Sequence, residues 1–110
     1  RMSNLAGLPP LGLKEPRPAD DPDYLDRVRA ERCCICEAFG EVQMTPTAAH
    51  HPICGRHSQR KRPDCTAIPL CHDHHQGWKG IHPRRAWWVE TYGEDTDYIA
   101  ITQDKLRYGQ

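Results

Sequence analysis

Two short segments of this 110-residue chain place cysteine and histidine at spacings that suit a metal ion. Cys33 and Cys36 are separated by two residues, and so are Cys71 and His74. This spacing lets both side chains of a pair reach one ion from a tight turn, and zinc binds four such sulfur and nitrogen ligands tetrahedrally. The four residues therefore predict a structural zinc site that would supply much of the folding free energy.

The three remaining cysteines leave alternatives open. Cys34 is next to Cys33, so the register of the first pair is not settled by spacing alone. Cys54 and Cys65 would be small buried hydrophobic residues or free thiols, or ligands of a second site together with histidines. The even count of six cysteines also permits a disulfide scaffold, but the interleaved histidines fit metal ligation in a reducing cytoplasm better.

Four other histidines could build a second centre. His50 and His51 are adjacent, and adjacent side chains at a strand end point to opposite sides, so one can bind an ion while its neighbour acts as a base. His75 directly follows His74, and on a helix it faces about 100° away from it, towards a different site. His82 lies beyond two glycines and could return to the same ion as His75.

The elements that must position these residues are short. Asp21 and Pro22 predict the start of a helix over residues 22–32. Strands are expected within residues 41–51 and 66–70, followed by helices that begin near Cys71, His82 and Thr96. Residues 1–20, rich in proline and glycine, are expected to form an extended arm, and residues 21–110 a single domain. This order predicts a small α+β fold.

Composition excludes several classes of protein. Leu, Ile, Val and Phe account for 17 of the 110 residues, so the core must be thin, and a metal site would compensate for it. No apolar run approaches the length of a membrane span, so we expect no membrane association. The first 20 residues lack the apolar segment of a signal peptide. Formal net charge is zero, which argues against an acidic or basic tail protein.

The order of the histidine pair, the basic loop and the second cysteine–histidine segment resembles that of a known family. His50-His51, a basic loop, and a short strand leading into Pro69-Leu70-Cys71 and His74-His75 resemble the HNH, or ββα-metal, nucleases. The closest similarity is to a phage-type subgroup with a built-in zinc knuckle, which includes recombination-enhancement nucleases that act with RecA filaments. With Cys33 and Cys36, the resemblance covers about half of the chain.

The resemblance implies a role for each matching residue. His50 takes the place of the first metal ligand and His51 that of the general base that activates water. His75 takes the place of the helix ligand, with His82 as a second ligand from the helix side. The middle Asn of the family motif is missing, and Asp64 and Thr66 lie where it should fall. Either could orient His51 or close the turn between the strands.

Hydrolysis of a phosphodiester by such a site would need an ion as well as a base. A neutral histidine can take a proton from water near pH 7, and one divalent ion held by two or three ligands keeps positions open for the phosphate. Imidazole ligands suit Zn²⁺, Mn²⁺, Ni²⁺ or Co²⁺, whereas Mg²⁺ prefers oxygen. We expect Mg²⁺ or Mn²⁺ in turnover, Zn²⁺ in the purified protein, and Zn²⁺ at the structural site.

The charge distribution favours a nucleic acid as partner. Residues 50–90 hold seven basic and three acidic residues, although the whole chain is neutral. A basic loop beside the predicted centre suits a phosphate backbone, and nothing resembles a helix that reads bases. The residues expected to contact DNA are Arg56, Arg60, Lys61 and Arg62.

The sequence thus predicts a ββα-metal core stapled by zinc, with flanking helices. The expected activity is an HNH endonuclease that cuts or nicks DNA with low sequence specificity. The resemblance further implies a phage or prophage origin and the cytoplasm of a bacterial host, with a recombination filament or a packaging protein as partner. The alternative is a zinc-stapled DNA-binding or adaptor module without turnover. Oligomeric state is left open.

Overall fold

A computed structural model describes residues 20–56 and 62–109. The predicted arm over residues 1–20 lies almost entirely outside the described residues, as do Arg60 and Lys61. Helices flank a two-stranded sheet, so the predicted small α+β fold is confirmed. In chain order the elements are α1 (Pro22–Arg29), α2 (Cys34–Phe39), β1 (Thr47–His50), β2 (Ile68–Cys71), α3 (His72–His75), α4 (Arg85–Tyr92) and α5 (Ile99–Lys105).

The two strands pair antiparallel, with Thr47 opposite Cys71 and His50 opposite Ile68. β1 therefore ends where β2 begins, and the chain enters α3 at the opposite end of the sheet. α3 packs against both strands. This short strand–loop–strand–helix unit carries the histidines at the end of β1 and those of α3.

β1 is shorter than the strand expected within residues 41–51, and the reason lies in Gln43. Its Oε1 accepts a hydrogen bond from the Cys33 backbone N–H at 2.7 Å. Its Nε2 donates to the Thr45 carbonyl and to Thr47 Oγ1, both at 2.8 Å. The side chain thus satisfies the Thr45 carbonyl, which a longer strand would have paired, and the segment before Thr47 is a loop anchored to Cys33, the residue before α2.

The first helix begins as predicted. Asp21 Oδ1 accepts a hydrogen bond from the Tyr24 backbone N–H at 3.1 Å, and Pro22 occupies the first turn. α1 ends at Arg29, earlier than expected, and it buries Tyr24 and Val28.

The predicted cap of the last helix is wrong. Thr96 lies inside a 3-10 helix, Asp95–Tyr98, whose N-cap is Glu94. The Glu94 side chain accepts from the backbone N–H of Asp97, and the Asp97 carboxylate accepts from the backbone N–H of Glu94, which forms a capping box. This turn precedes α5 and places Asp95 inside the protein.

The buried side chains form two small clusters. The larger cluster surrounds Cys33, Cys36 and Cys71 and includes Trp88, which is fully buried. The smaller one joins α1 to the end of α5. None of the helices within residues 20–56 and 62–109 has both the length and the apolar character needed to cross a membrane.

Candidate metal centres

The first candidate centre contains the four residues predicted to bind structural zinc. Cys33 immediately precedes α2, Cys36 lies in its first turn, Cys71 ends β2, and His74 lies in α3. All four side chains are buried, and their ligand atoms lie within 4.8 Å of one another. These four residues are the cysteine–histidine group, which could hold a metal ion such as zinc.

The spacing of these atoms fits one tetrahedral ion. His74 Nδ1 lies 3.6 Å from the Sγ of Cys33, 3.7 Å from that of Cys36 and 3.2 Å from that of Cys71. The Sγ atoms of Cys36 and Cys71 are 4.0 Å apart. Ligands of a tetrahedral zinc, with Zn–S about 2.3 Å and Zn–N about 2.0 Å, lie about 3.5–3.8 Å apart. Cys34 is not part of this group.

The surroundings of the cysteine–histidine group are apolar, and they favour neutral side chains. Burial raises the pKa of the Cys33 and Cys36 thiols. Burial also lowers the pKa of His74, although the Glu41 carboxylate opposes this effect. Glu41 Oε1 lies 3.3 Å from His74 Nε2 but out of line for a hydrogen bond, so Nε2 has no hydrogen-bond partner. An ion on Nδ1 would fix the ring proton on Nε2, the nitrogen beside the Glu41 carboxylate.

The second candidate centre contains three histidines that sequence analysis had assigned to a catalytic ion. Ligand atoms of His50, His75 and His82 lie within 4.8 Å of one another. The Nε2 atoms of His75 and His82 are 3.2 Å apart. Two nitrogen ligands of one ion at about 2.1 Å are separated by a similar distance. These three residues are the triple-histidine group.

His50 is oriented by a carboxylate that sequence analysis missed. The His50 ring donates from Nε2 to Asp95 Oδ2 at 2.8 Å, and both side chains are buried. A metal-bound imidazole commonly donates its second N–H to a carboxylate in this way, and here Nδ1 is left for an ion. Asp95 lies 45 residues after His50 in the chain, and no local motif links the two.

Asp95 is itself held in place by the backbone after β1. It accepts hydrogen bonds from the backbone N–H groups of Ile53 at 2.7 Å and Cys54 at 3.1 Å. Burial alone would raise the pKa of Asp95, but the hydrogen bonds from His50 and from these two N–H groups outweigh it and lower the pKa to about 2. Asp95 is therefore a fixed anion beneath the triple-histidine group.

A tight turn after α3 brings His82 back to His75. The backbone N–H of His82 donates to the His75 carbonyl at 3.2 Å, and that of Ile81 donates to the His74 carbonyl at 3.1 Å. Glycine is required in this turn, because a Cβ on Gly80 would lie 2.5 Å from the His75 carbonyl oxygen. Burial and the neighbouring imidazoles lower the pKa of His75 to about 4, so the ring is neutral and able to bind a metal near pH 7.

His51 stands apart from the triple-histidine group and has its own partner. Its Nε2 donates to Asp64 Oδ1 at 2.8 Å. Asp64 is buried, and its Oδ2 accepts from the backbone N–H of Asp21 at 2.8 Å. The Thr66 hydroxyl instead donates to the Pro63 carbonyl at 2.6 Å. Of the two residues considered for the place of the missing Asn, Asp64 is the one that contacts His51.

The basic residues predicted to contact DNA have different surroundings. Burial and the charge of His50 lower the pKa of His82, the Asp95 carboxylate opposes them, and the positive charge of Arg56 adds to the lowering. Arg62 donates to the Cys54 carbonyl at 2.8 Å and thereby secures the loop after β1. Arg60 and Lys61 lie outside the described residues. Arg85, not among the predicted contacts, donates to the Ile53 carbonyl at 3.2 Å.

Comparison with known proteins assigns the chain to a family. No curated protein and no solved structure matches the chain. A family model described as "Protein of unknown function (DUF968)" matches residues 13–107, which include both candidate metal centres, His51 and Asp64. Because this match covers most of the sequence, the chain belongs to the DUF968 family.

Proposed function

We propose that the protein is a metal-dependent endonuclease of the HNH, or ββα-metal, type that cuts or nicks DNA with low sequence specificity. Support comes from the order β1, loop, β2, α3, with His50 at the end of the first strand and His75 in the helix. In this proposal the cysteine–histidine group is the structural zinc site, and the triple-histidine group is the catalytic metal site.

The proposal rests on one observation. The triple-histidine group adjoins a further histidine, His51, which is hydrogen-bonded to Asp64 and does not belong to the group. Structural zinc sites are closed by four protein ligands, whereas catalytic sites keep a position open for substrate or water. Among the described residues, the cysteine–histidine group has four ligand residues and the triple-histidine group has three. His51 follows His50 directly and is bound by Asp64 instead of joining the group.

The residues divide the chemistry between them. His51 donates from Nε2 to Asp64, which leaves its Nδ1 lone pair to take a proton from the attacking water. Asp95 orients His50 so that its other ring nitrogen is available as a ligand. The bound ion would neutralise charge on the scissile phosphate and stabilise the leaving oxygen.

The donor set bears on the choice of ion. Three imidazoles suit Zn²⁺ and Mn²⁺ better than Mg²⁺, which prefers oxygen ligands. We propose that the triple-histidine group carries Zn²⁺ in the purified protein and uses Mn²⁺ or Mg²⁺ in turnover. The positive charge of Arg56, which acts on His82, supports a phosphate backbone as the partner of this site. A phage origin and a recombination filament or packaging protein as partner rest on the family resemblance alone.

The test is cleavage of supercoiled plasmid with no added ion, Mg²⁺ or Mn²⁺. We expect nicked or linear product from the parent protein, and none from His51→Ala at equal zinc content and equal circular dichroism. His72→Ala is the matched control, because His72 is an exposed histidine one turn before His75 on the same helix. Equal cleavage by the parent and His51→Ala would contradict the proposal.

A second function is favoured by one specific observation. A carboxylate, Asp64, stands where the family motif has an uncharged Asn. A module that binds DNA through zinc-stabilised structure without turnover would tolerate this change. It predicts that parent and His51→Ala retard DNA equally and that neither cleaves it with any of the ions.

A further inference from the structure

Of the three tryptophans, Trp78 is the one whose side chain does not pack against the buried core. Its exposed fraction is 71%. Trp88 is fully buried, and its Nε1–H donates to the His74 carbonyl at 3.0 Å. Trp87 is half-buried and packs against the larger cluster. An indole so exposed contributes little to folding, and its face is available to contact a ligand.

The position of Trp78 is set by the turn that joins His75 to His82. The backbone N–H of Gly80 donates to the Gly77 carbonyl at 2.9 Å, which closes the turn around Trp78. Three peptide bonds link the Cα atoms of His75 and Trp78, so these atoms are at most about 11 Å apart. A molecule that contacts the indole is therefore within a few nucleotide lengths of the triple-histidine group.

The neighbours of the indole are cations. Lys79 Nζ lies 5.8 Å from the ring centroid of Trp78, and Arg84 Cζ lies 5.9 Å from it. The same guanidinium lies 4.4 Å from the ring centroid of Trp87 and donates to the Trp78 carbonyl at 3.4 Å. Arg84 is thus placed between two indoles. A surface for an apolar protein partner would surround Trp78 with apolar side chains, whereas this one places two cations beside it, of which Lys79 also pairs with the Glu41 carboxylate at 3.8 Å.

We propose that Trp78 is a stacking platform for an unpaired base of single-stranded DNA, with Arg84 and Lys79 facing its phosphates. Aromatic rings stack on bases of any sequence, and cations beside the ring follow the backbone. Bases inside a duplex already cover each other's faces, so the platform selects an unpaired strand. This inference rests on the proposed function and names its substrate class: DNA with a single-stranded segment next to the site of cleavage.

The test measures binding, separately from cleavage. A fluorescently labelled 12-nucleotide single strand and the duplex of the same sequence are titrated with zinc-loaded full-length protein that carries His51→Ala, without added divalent ions. Into this background we introduce Trp78→Ala, Trp78→Phe and, as control, Ile101→Ala, whose side chain is also exposed, at 58%. An RNA strand of the same sequence forms a further arm.

We expect Trp78→Ala to weaken single-strand binding about 10-fold and duplex binding less than about 2-fold. Trp78→Phe keeps a ring and should recover most of the affinity, and Ile101→Ala should bind like the background protein. Because stacking releases no counterions, the salt dependence of binding should be unchanged in Trp78→Ala, whereas Arg84→Gln should flatten it.

Three results would overturn the inference: unaltered single-strand binding by Trp78→Ala, equal losses on single strand and duplex, or tighter binding of RNA than of DNA. Failure of the proposed function gives a different result. A parent protein that cleaves no DNA but loses single-strand affinity on Trp78→Ala would refute the nuclease and leave the platform intact. If the parent protein cleaves DNA but Trp78→Ala binds the single strand as tightly as the background protein, the nuclease is supported and the platform is refuted.

Discussion

His51 and Asp64 are joined by a hydrogen bond of 2.8 Å that connects the end of β1 to the turn before β2. The carboxylate is buried, and its second oxygen accepts from the backbone N–H of Asp21, which caps α1. One side chain therefore ties the predicted general base to the start of the first helix. The orientation and tautomer of His51 depend on that contact.

Asp64→Asn restores the residue type of the family motif and should keep most cleavage at a cost in stability. The amide oxygen can accept from His51 Nε2–H, which leaves Nδ1 free as the base, but the amide NH₂ then faces the Asp21 N–H, which loses its acceptor. We expect cleavage to be retained and the free energy of unfolding to fall by about 1–3 kcal/mol.

The comparison variant is Asp64→Ala, which leaves two donors without an acceptor. It should lower the free energy of unfolding by about 1–3 kcal/mol as well as the rate. Urea denaturation and plasmid cleavage measure the two effects. Cleavage by Asp64→Ala at the parental rate would show that this contact is not needed to hold the tautomer of His51.

Replacing Cys34 and replacing Cys36 by Ala should have different effects on zinc content and on thermal stability. Cys36→Ala removes a ligand of the cysteine–histidine group, so the protein should lose about one zinc per chain and its cooperative thermal transition. Cys34→Ala removes a buried sulfur outside the group and should keep the zinc, with a loss of stability of about 1 kcal/mol. Metal analysis of the purified proteins and thermal melts with and without chelator provide the measurement. Equal zinc content in the two variants would contradict the assigned ligands.

Asp95→Asn should weaken the triple-histidine group and leave the cysteine–histidine group intact. Loss of the carboxylate that orients His50 should lower affinity for Mn²⁺ about 10- to 100-fold, as for other carboxylates behind a metal-bound histidine. Asp104→Asn, an exposed carboxylate on α5, is the matched control. Electron paramagnetic resonance of free Mn²⁺ gives the affinity, and an equal affinity in Asp95→Asn and the control would rule out the assigned role of Asp95.

Replacing Trp88 and Trp78 by Phe should distinguish a tryptophan that stabilises the fold from one that lies exposed on the surface. Trp88→Phe removes the N–H that donates to the His74 carbonyl and leaves buried space, so we expect a loss of about 2–3 kcal/mol in the free energy of unfolding. Trp78→Phe, at an exposed position, should change it by less than about 0.5 kcal/mol. Denaturant titrations with saturating zinc measure both, and equal losses would argue against the burial of Trp88.

Sequence analysis identified groups whose members are close along the chain. Short spacings such as Cys33 to Cys36 and Cys71 to His74 define their own turn geometry, so the sequence is enough to assemble these pairs. The structure places these residues together, while their binding of metal stays a prediction. The same holds for the catalytic roles of His50 and His51.

Sequence analysis did not identify contacts between residues that are far apart in the chain. Asp95 reaches His50 from 45 positions away, and Trp88 reaches the His74 carbonyl from 14 positions away; no periodicity marks either contact. The length of β1 was overestimated for a different reason. Gln43 can hydrogen-bond to backbone in either a strand or a loop, and tertiary contacts with Cys33 decide between the two.

α3 consists of four residues, and two adjacent ones serve different groups: His74 the cysteine–histidine group and His75 the triple-histidine group. Ordering a residue costs about 1–2 kcal/mol of conformational entropy, and an ion in either group would hold the same helical turn. An ion in one group would therefore favour binding of an ion in the other group, although the two ions are not in contact. This positive cooperativity would be equal in both directions. A metal that loads the triple-histidine group should slow the escape of zinc from the cysteine–histidine group, so the lifetime of zinc in one group would report occupancy of the other.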